Sequence, residues 1–291
     1  MISTSVDWLP IVFVGLMGLS FLIYAILDGY DLGVGVLLPL DNQQQRDTMI
    51  YSIGPFWDAN ETWLVMAIGL LLIAFPKAHS IIFQALYLPT ALMLAGLILR
   101  GVSFDFRTKA PSNDKKKWDF AFKFGSLLAT LSQGYMLGRY ITSFEDTWLS
   151  LGFSVLSAIC VTAGYCFIGA AWLVMKTEGE LQRKAAKWAK YTNVLMAFGI
   201  VAVCITNLLI DQQIMDKWLG GVQAILILPL TFLLGFTFIT VHRYLDKVPM
   251  ENDLGCWLPF SAAIMLFILC FCGLGYSFYP YIVPFQVTIF E

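Results

Sequence analysis

Long apolar stretches alternate with short polar connections along almost the whole chain. A helix needs about 20 mostly apolar residues to cross a hydrocarbon core about 30 Å thick. Eight segments meet this requirement: Leu9–Leu27, Pro55–Phe75, Ile81–Leu99, Phe120–Leu137, Leu149–Met175, Thr192–Ile210, Val222–Val241 and Trp257–Tyr279. A membrane β-barrel would instead show alternating segments of roughly ten residues. The pattern predicts an all-α integral membrane protein with eight transmembrane helices, which can form two four-helix bundles.

The composition supports this class. Of the 291 residues, 58% are hydrophobic and only 13% are charged, whereas soluble domains contain about 25% charged residues. This excludes a soluble enzyme, a nucleic-acid-binding protein and a disordered chain. The polar connections are too short for a soluble domain, so we expect a single polytopic domain over residues 1–291, surrounded by membrane lipid.

The basic residues predict the orientation in the membrane, because Lys and Arg are enriched in cytoplasmic loops. If the N-terminus lies outside, all Lys and Arg residues except Lys77, Arg139 and Lys217 fall in inner loops or at the adjoining helix ends. The opposite orientation inverts this distribution. We therefore predict a periplasmic N-terminus.

The second span brings carboxylates towards the membrane interior. Its continuous apolar part, Trp63–Phe75, has 13 residues and is about 20 Å long at 1.5 Å per residue. Because Pro76 follows, the missing length must come from the amino-terminal side, which includes Asp58 and Glu61. A carboxylate at mid-membrane costs about 2.5–3.5 kcal/mol, so Asp58 should face protein or a water-filled cavity. Asp58 and Glu61 are three residues apart and share one helix face.

Further charged residues are predicted at the same depth. Asp28 and Asp31 follow the first span, and Arg100, Asp105 and Arg107 follow the third. This concentration of carboxylates and guanidinium groups is the strongest functional signal in the sequence. A buried carboxylate that opens towards the cytoplasm can carry protons, since desolvation shifts its titration towards neutral pH.

A structural interpretation of these residues remains open. Asp28 and Asp31 could end a helix at the interface, Arg100 and Arg107 could be positive-inside anchors, and ion pairing could satisfy the remaining charges. Within this group, the case for a functional role is strongest for Asp58, because the length of its span forces this residue into the membrane.

The histidines argue against haem in this chain. Haem in a membrane bundle needs axial His, Met or Cys ligands from facing helices. The two histidines, His79 and His242, are predicted at opposite sides of the bilayer, and the cysteines show no metal-binding spacing. We expect no metal site here, so in a redox complex a partner would carry the metals.

Five stretches together resemble a known family: Asp28–Gly35, Gly54–Leu64, Tyr87–Pro89, Leu99–Arg107 and Tyr279–Pro280. With these motifs the chain resembles subunit II of the cytochrome bd quinol oxidases, in particular the cyanide-insensitive branch. The similarity covers nearly the whole chain and is strongest in the first 110 residues. The resemblance implies a haem-free subunit of a quinol:oxygen oxidoreductase in the bacterial inner membrane.

The resemblance also implies cofactors, partners and residue roles. Haem b and haem d, or haem b alone, would be held by subunit I, the partner in a heterodimer, and quinol would be the substrate. Small single-helix subunits and a structural quinone are further expectations. The family assigns the aspartate at position 58 to a proton channel from the cytoplasm. The predicted proton pathway is Asp58, Glu61, Asp28, Asp31 and Arg100, supported by Trp57, Asn60, Asp105 and Arg107.

One departure from the family and two rival functions accompany this prediction. Family members usually have nine spans, and this sequence ends where the ninth would begin, so we expect it to lack the family's last helix. A proton-coupled secondary transporter would use the buried carboxylates as coupling sites. A purely structural assembly subunit would need none of them for proton transfer.

Overall fold

The structure is a computed structural model that describes residues 8–111, 114–210, 212–248 and 254–291. These residues form eleven helices and one small antiparallel hairpin. The elements are α1 (Trp8–Leu37), α2 (Gln43–Ile53), α3 (Trp57–Ala74), α4 (Pro76–Ala85), α5 (Tyr87–Lys109), α6 (Lys115–Ile141), α7 (Trp148–Lys176), α8 (Gly179–Ile210), α9 (Gln212–Leu219), α10 (Gly221–Leu245), α11 (Leu258–Phe278), β1 (Tyr281–Val283) and β2 (Val287–Thr288).

Seven helices in the described ranges are long and apolar enough to cross a membrane: α1, α3, α5, α7, α8, α10 and α11. The remaining predicted span lies in α6, which has 27 residues but is less apolar. Its first turns carry charged residues, and Ser, Thr, Gln and Gly recur along it. The all-α membrane class is confirmed, and the count of eight spans is approximate.

The boundaries of two helices differ from the prediction. Helix α1 continues to Leu37, so Asp28 and Asp31 lie inside it rather than at its end. The predicted third span, Ile81–Leu99, is divided between α4 and α5, and α5 extends to Lys109. Arg100, Asp105 and Arg107 therefore belong to a helix instead of following one. Helices α1 and α5 can continue past the predicted boundaries because most of these charged side chains have partners on neighbouring helices.

Close helix crossings depend on glycine. A Cβ atom added at Gly33 on α1 would overlap the backbone oxygen of Tyr165 on α7. A Cβ atom at Gly169 on α7 would lie 2.6 Å from the Val34 nitrogen. Small residues allow such approaches in membrane helices, where van der Waals packing drives association. The glycines therefore bring α1 and α7 into backbone contact.

A second glycine crossing positions the arginine-bearing helix. A Cβ atom at Gly125 on α6 would lie 2.9 Å from the Arg100 nitrogen on α5 and 2.7 Å from the Gly96 oxygen. Helices α5 and α6 consequently pack along each other as a close hairpin. This places the Arg100 backbone against α6 and leaves its side chain to reach α1 and α3.

Helix α7 connects the two halves of the chain. It packs against α1 and α6 of the first half and against α8 and α11 of the second half. One apolar cluster continues through it from α1 to α10 and α11, and includes Tyr30, Phe167, Trp172, Val241 and Leu266. The halves share this core, and the division into two four-helix bundles stays a prediction.

Candidate functional site: a buried ionic network on three helices

Arg100 is the centre of the site. Its side chain is only 1% exposed, and its Nη2 atom donates to Asp28 Oδ1 at 2.6 Å and to a Glu61 carboxylate oxygen. Asp28 lies on α1, Glu61 on α3 and Arg100 on α5. Charge-assisted hydrogen bonds of this kind are about twice as strong as neutral ones. One guanidinium group thus ties three helices together.

Asp31 extends the network along α1. It is fully buried, and its Oδ2 atom accepts a hydrogen bond from Asn60 Nδ2 at 2.8 Å. The same amide nitrogen lies 3.1 Å from the Tyr30 hydroxyl. Since Asp28 and Asp31 are three residues apart on one helix, they are neighbours on its surface. Asn60 therefore connects α3 to the second acid of this pair.

The amino-terminal turn of α3 connects the network to the surface of the chain. Asp58 is exposed and lies in this first turn, and the Glu61 side chain is 27% exposed. The Trp57 ring lies 5.9 Å from the Arg100 guanidinium carbon and 5.0 Å from the Phe104 ring. Trp57 therefore covers one side of the buried charge, and the acids form a graded series from exposed to buried.

Arg107 belongs to a different network. It donates to Asp119 and Asp47, and Asp119 also accepts from Arg46 Nε at 2.7 Å. Asp119 is fully buried, and Arg46 is 5% exposed. Arg107 lies seven residues beyond Arg100, about 10 Å along the helix axis. This second network fastens α2, α5 and α6 together.

The structure thus brings together most of the predicted residues but not all of them. Asp28, Asp31, Asn60, Glu61 and Arg100 form one network, with Trp57 against it. Arg107 is in the second network. Asp58 on α3 and Asp105 on α5 are exposed, so they belong to neither set of buried contacts.

A buried polar chain outside the set of predicted site residues lies near Asp28. Gln133 on α6 donates to the Tyr24 hydroxyl at 2.8 Å and accepts from the Tyr165 hydroxyl at 2.7 Å. Tyr24 and Tyr165 are 4% and 5% exposed. Tyr24 precedes Asp28 by one helical turn. These side chains join α1, α6 and α7 beside the acidic network.

The two histidines lie on different helices. His79 is on α4, where it stacks on Phe83 at 4.4 Å, and His242 is near the end of α10. In the described ranges, no three His, Cys, Asp or Glu residues are grouped so that they could hold a metal ion. The expectation that this chain has no metal site stays a prediction.

A family comparison identifies the chain. The family model described as cytochrome bd terminal oxidase subunit II matches residues 9–291. The chain belongs to this family. Both ionic networks and the Tyr24–Gln133–Tyr165 chain fall within the matched range, so they are features of this member of the family.

Curated relatives match part of this sequence. It is 31% identical over 193 residues to the cytochrome bd ubiquinol oxidase subunit 2 of Bacillus subtilis, covering 60% of this chain and 56% of that protein. It is also 31% identical over 207 residues to the cytochrome bd-I ubiquinol oxidase subunit 2 of Escherichia coli K12, covering 65% and 55%. The alignments span just over half the length of these relatives.

The fold has a solved counterpart. The structure of the bd oxidase from Geobacillus thermodenitrificans matches with a TM-score of 0.78 at 17% identity, over 97% of this chain and 88% of that chain. At this identity the match concerns the fold alone. It agrees with the all-α membrane class.

Sequence reasoning missed three elements of the buried networks. Arg46 counted only as a loop charge, and Asp119 lay just outside a predicted span. Gln133 was not among the predicted site residues. A polar residue within a predicted span was the available signal for Gln133, since such side chains bond across helices. No comparable signal indicates which arginine Asp119 contacts.

Proposed function

We propose that this chain is the haem-free second subunit of a quinol:oxygen oxidoreductase in the bacterial inner membrane. The family membership and the names of the relatives support this assignment. In the proposed heterodimer, a larger subunit carries haem b and haem d, or haem b alone, and oxidises quinol. Small single-helix subunits and a structural quinone belong to the same proposal.

The observation that carries the proposal is the ionic network around Arg100. Charged groups within membrane spans are costly and are generally tied to ion or proton pathways. Asp28, Asp31 and Arg100 are buried, while Glu61 is partly exposed and Asp58 is exposed on this chain. We assign Asp58 and Glu61 to the proton entry and the buried residues to its inner wall.

The position of apolar side chains supports a pathway that opens to one side. Outward of Tyr24 on α1, Phe21 and Met17 pack in an apolar cluster with Leu71 and Phe75. These side chains offer no hydrogen-bonding groups to water or protons. With a periplasmic N-terminus, as the distribution of Lys and Arg predicts, the acids face the cytoplasm.

The proposed reaction separates charge across the membrane. Haem in the partner subunit supplies the electron transfer to oxygen. Quinol gives up its electrons and releases its protons outside, while the protons for water formation come from inside through this chain. Turnover therefore generates proton-motive force without a pump. This chain's own residues position the network and hold the transferring proton.

Gentle purification from the native membrane tests the assignment. We expect a tagged chain to co-purify with a larger subunit that shows haem bands in the reduced-minus-oxidised spectrum and takes up oxygen with quinol. A colourless chain without a partner would overturn the oxidase assignment and favour a proton-coupled transporter.

An Asp58→Asn substitution then tests the proton entry. We expect slower oxygen uptake at unchanged haem content, because the neutral amide cannot carry a proton. Asp41→Asn is the matched control, since Asp41 is also exposed but lies between α1 and α2. Unchanged uptake in Asp58→Asn would remove the channel role and leave a purely structural subunit.

A further inference from the structure

The hairpin of α5 and α6 has an open cavity of about 520 Å³ at the end that the Lys and Arg distribution places towards the cytoplasm. Residues from the end of α5 and the start of α6 line it, and they include Phe106, Lys109, Asp114, Lys117, Trp118 and Ala121. Lys109 lies nine residues beyond Arg100, about 14 Å along the helix axis. The cavity is therefore separate from the site already described.

The second ionic network holds the walls of this cavity in place. Arg107 on α5 donates to Asp119 on α6, and both residues are buried. Phe106 and Trp118 come immediately before them in the sequence and form part of the cavity wall, where their rings stack with centroids 5.2 Å apart. A buried ion pair on one side thus fixes an aromatic wall on the other.

The cavity and its rim are positively charged. Lys109 and Lys117 line the cavity, and Lys116 is exposed beside Lys117. Asp114 also lines it, but forms an ion pair with Lys117 at 2.8 Å, and Asp105 is exposed one helical turn from Lys109. The lysines outnumber the carboxylates, and lysine binds phosphate as a point charge. This end of the hairpin consequently attracts an anion.

Apolar side chains continue from the cavity towards the membrane interior. Phe120 and Phe124 on α6 are 58% and 47% exposed, and their rings stack at 6.4 Å. Val102 on α5, one turn from Phe106, is 41% exposed. A basic end that leads into an exposed apolar strip matches the two parts of a phospholipid, a charged headgroup and its acyl chains.

We propose that this cavity binds an anionic phospholipid of the inner leaflet, with the headgroup phosphate between Lys109 and Lys117. One acyl chain lies along Phe120 and Phe124. Basic pockets at the cytoplasmic side of membrane helices bind anionic headgroups, and tryptophan, here Trp118, is enriched at the membrane–water interface. The inference uses the charges, the aromatic wall and the membrane class, so it does not depend on the oxidase assignment.

Quenching by a brominated lipid tests the site in the purified protein with its co-purifying subunits. The probe is phosphatidylglycerol with brominated acyl chains, which quenches the fluorescence of tryptophans that it contacts. We expect a saturable quenching component that is lost in Trp118→Phe, a variant that keeps an aromatic ring for the stack with Phe106. Quenching that is the same in the wild type and in Trp118→Phe would overturn the proposed site.

A pair of charge variants separates this site from a general attraction to basic surfaces. Lys109→Gln/Lys117→Gln should weaken binding of the same lipid by roughly 30-fold, the effect of two lysines near an anionic surface. Arg183→Gln/Lys187→Gln is the matched control, since it removes two exposed positive charges from the first turns of α8, and its binding should equal that of the wild type. Equal weakening in both double variants would contradict a specific site.

Two further ligands test the chemistry of the occupant. Brominated phosphatidylcholine, which has no net charge, should bind more weakly by roughly tenfold. Glycerol 3-phosphate, which has the phosphate without acyl chains, should not displace the bound lipid at an equal concentration. Equal binding of both lipids would rule out recognition of the anionic headgroup, and displacement by glycerol 3-phosphate would assign the cavity to a soluble phosphate instead. A side chain of a co-purifying subunit in the cavity would also refute the lipid assignment.

Discussion

Arg100 Nη2 and Asp28 Oδ1 lie 2.6 Å apart, although the two residues are separated by 72 positions in the sequence. Their side chains are 1% and 0% exposed. Removing two charges from water carries a large desolvation cost, and good geometry with additional hydrogen bonds must offset it. Breaking one side of such a pair leaves the other charge buried without compensation.

The first prediction concerns this pair. We expect Asp28→Asn to destabilise the assembled protein by about 3–5 kcal/mol, the usual cost of breaking a buried pair. The apparent melting temperature should fall by roughly 5–15 °C, as followed by dye labelling of the buried cysteines Cys160, Cys166 and Cys256. Asp41→Asn should leave it unchanged. An unchanged melting temperature in Asp28→Asn would mean that the pair contributes little.

The second prediction separates proton transfer from stability. Glu61 is partly exposed, so Glu61→Gln should lower the melting temperature less than Asp28→Asn does. Quinol-driven oxygen uptake should fall by about 100-fold, the lower end of what a positioned acid–base group contributes. Haem content should not change. The control is Glu178→Gln, at an exposed position between α7 and α8; equal rates in both variants would contradict the role of Glu61.

The third prediction concerns the second ionic network. Asp119 accepts from both Arg46 and Arg107, so Arg46→Gln and Asp119→Asn should each reduce stability. The double variant should lower the free energy of unfolding by less than the sum of the two single variants, with a coupling energy of about 0.5–3 kcal/mol. A double-mutant cycle on the melting temperature measures this. Additive effects would show that the Arg46–Asp119 contact is not an energetic unit.

The fourth prediction tests the crossing of α1 and α7. Gly33→Val should prevent stable assembly, because the added Cβ overlaps the Tyr165 backbone and no side-chain rotation relieves it. Gly15→Val on the same helix is the matched control, since nothing lies within 4 Å of a Cβ there. The measurement is the yield of folded complex on size exclusion. Normal yield of Gly33→Val would show that the helices can separate without loss of structure.

The apolar pattern predicted most helix positions, because a span must be long enough and apolar enough to cross the membrane. It failed where charged residues continue a helix. Arg100 and Arg107 were placed after the third span, yet both lie within α5. Their partners on other helices make this continuation favourable, and a linear pattern contains no information about such partners.

The sequence by itself determined the membrane class, the position of most spans and the concentration of acids near Arg100. These follow from composition and local length, which are properties of the chain before it folds. Only the tertiary structure decided that Arg100 and Arg107 serve separate networks and that Gln133 joins Tyr24 to Tyr165. Those outcomes depend on where helices cross, and the glycines at the α1–α7 and α5–α6 crossings set that distance through steric contact between backbones.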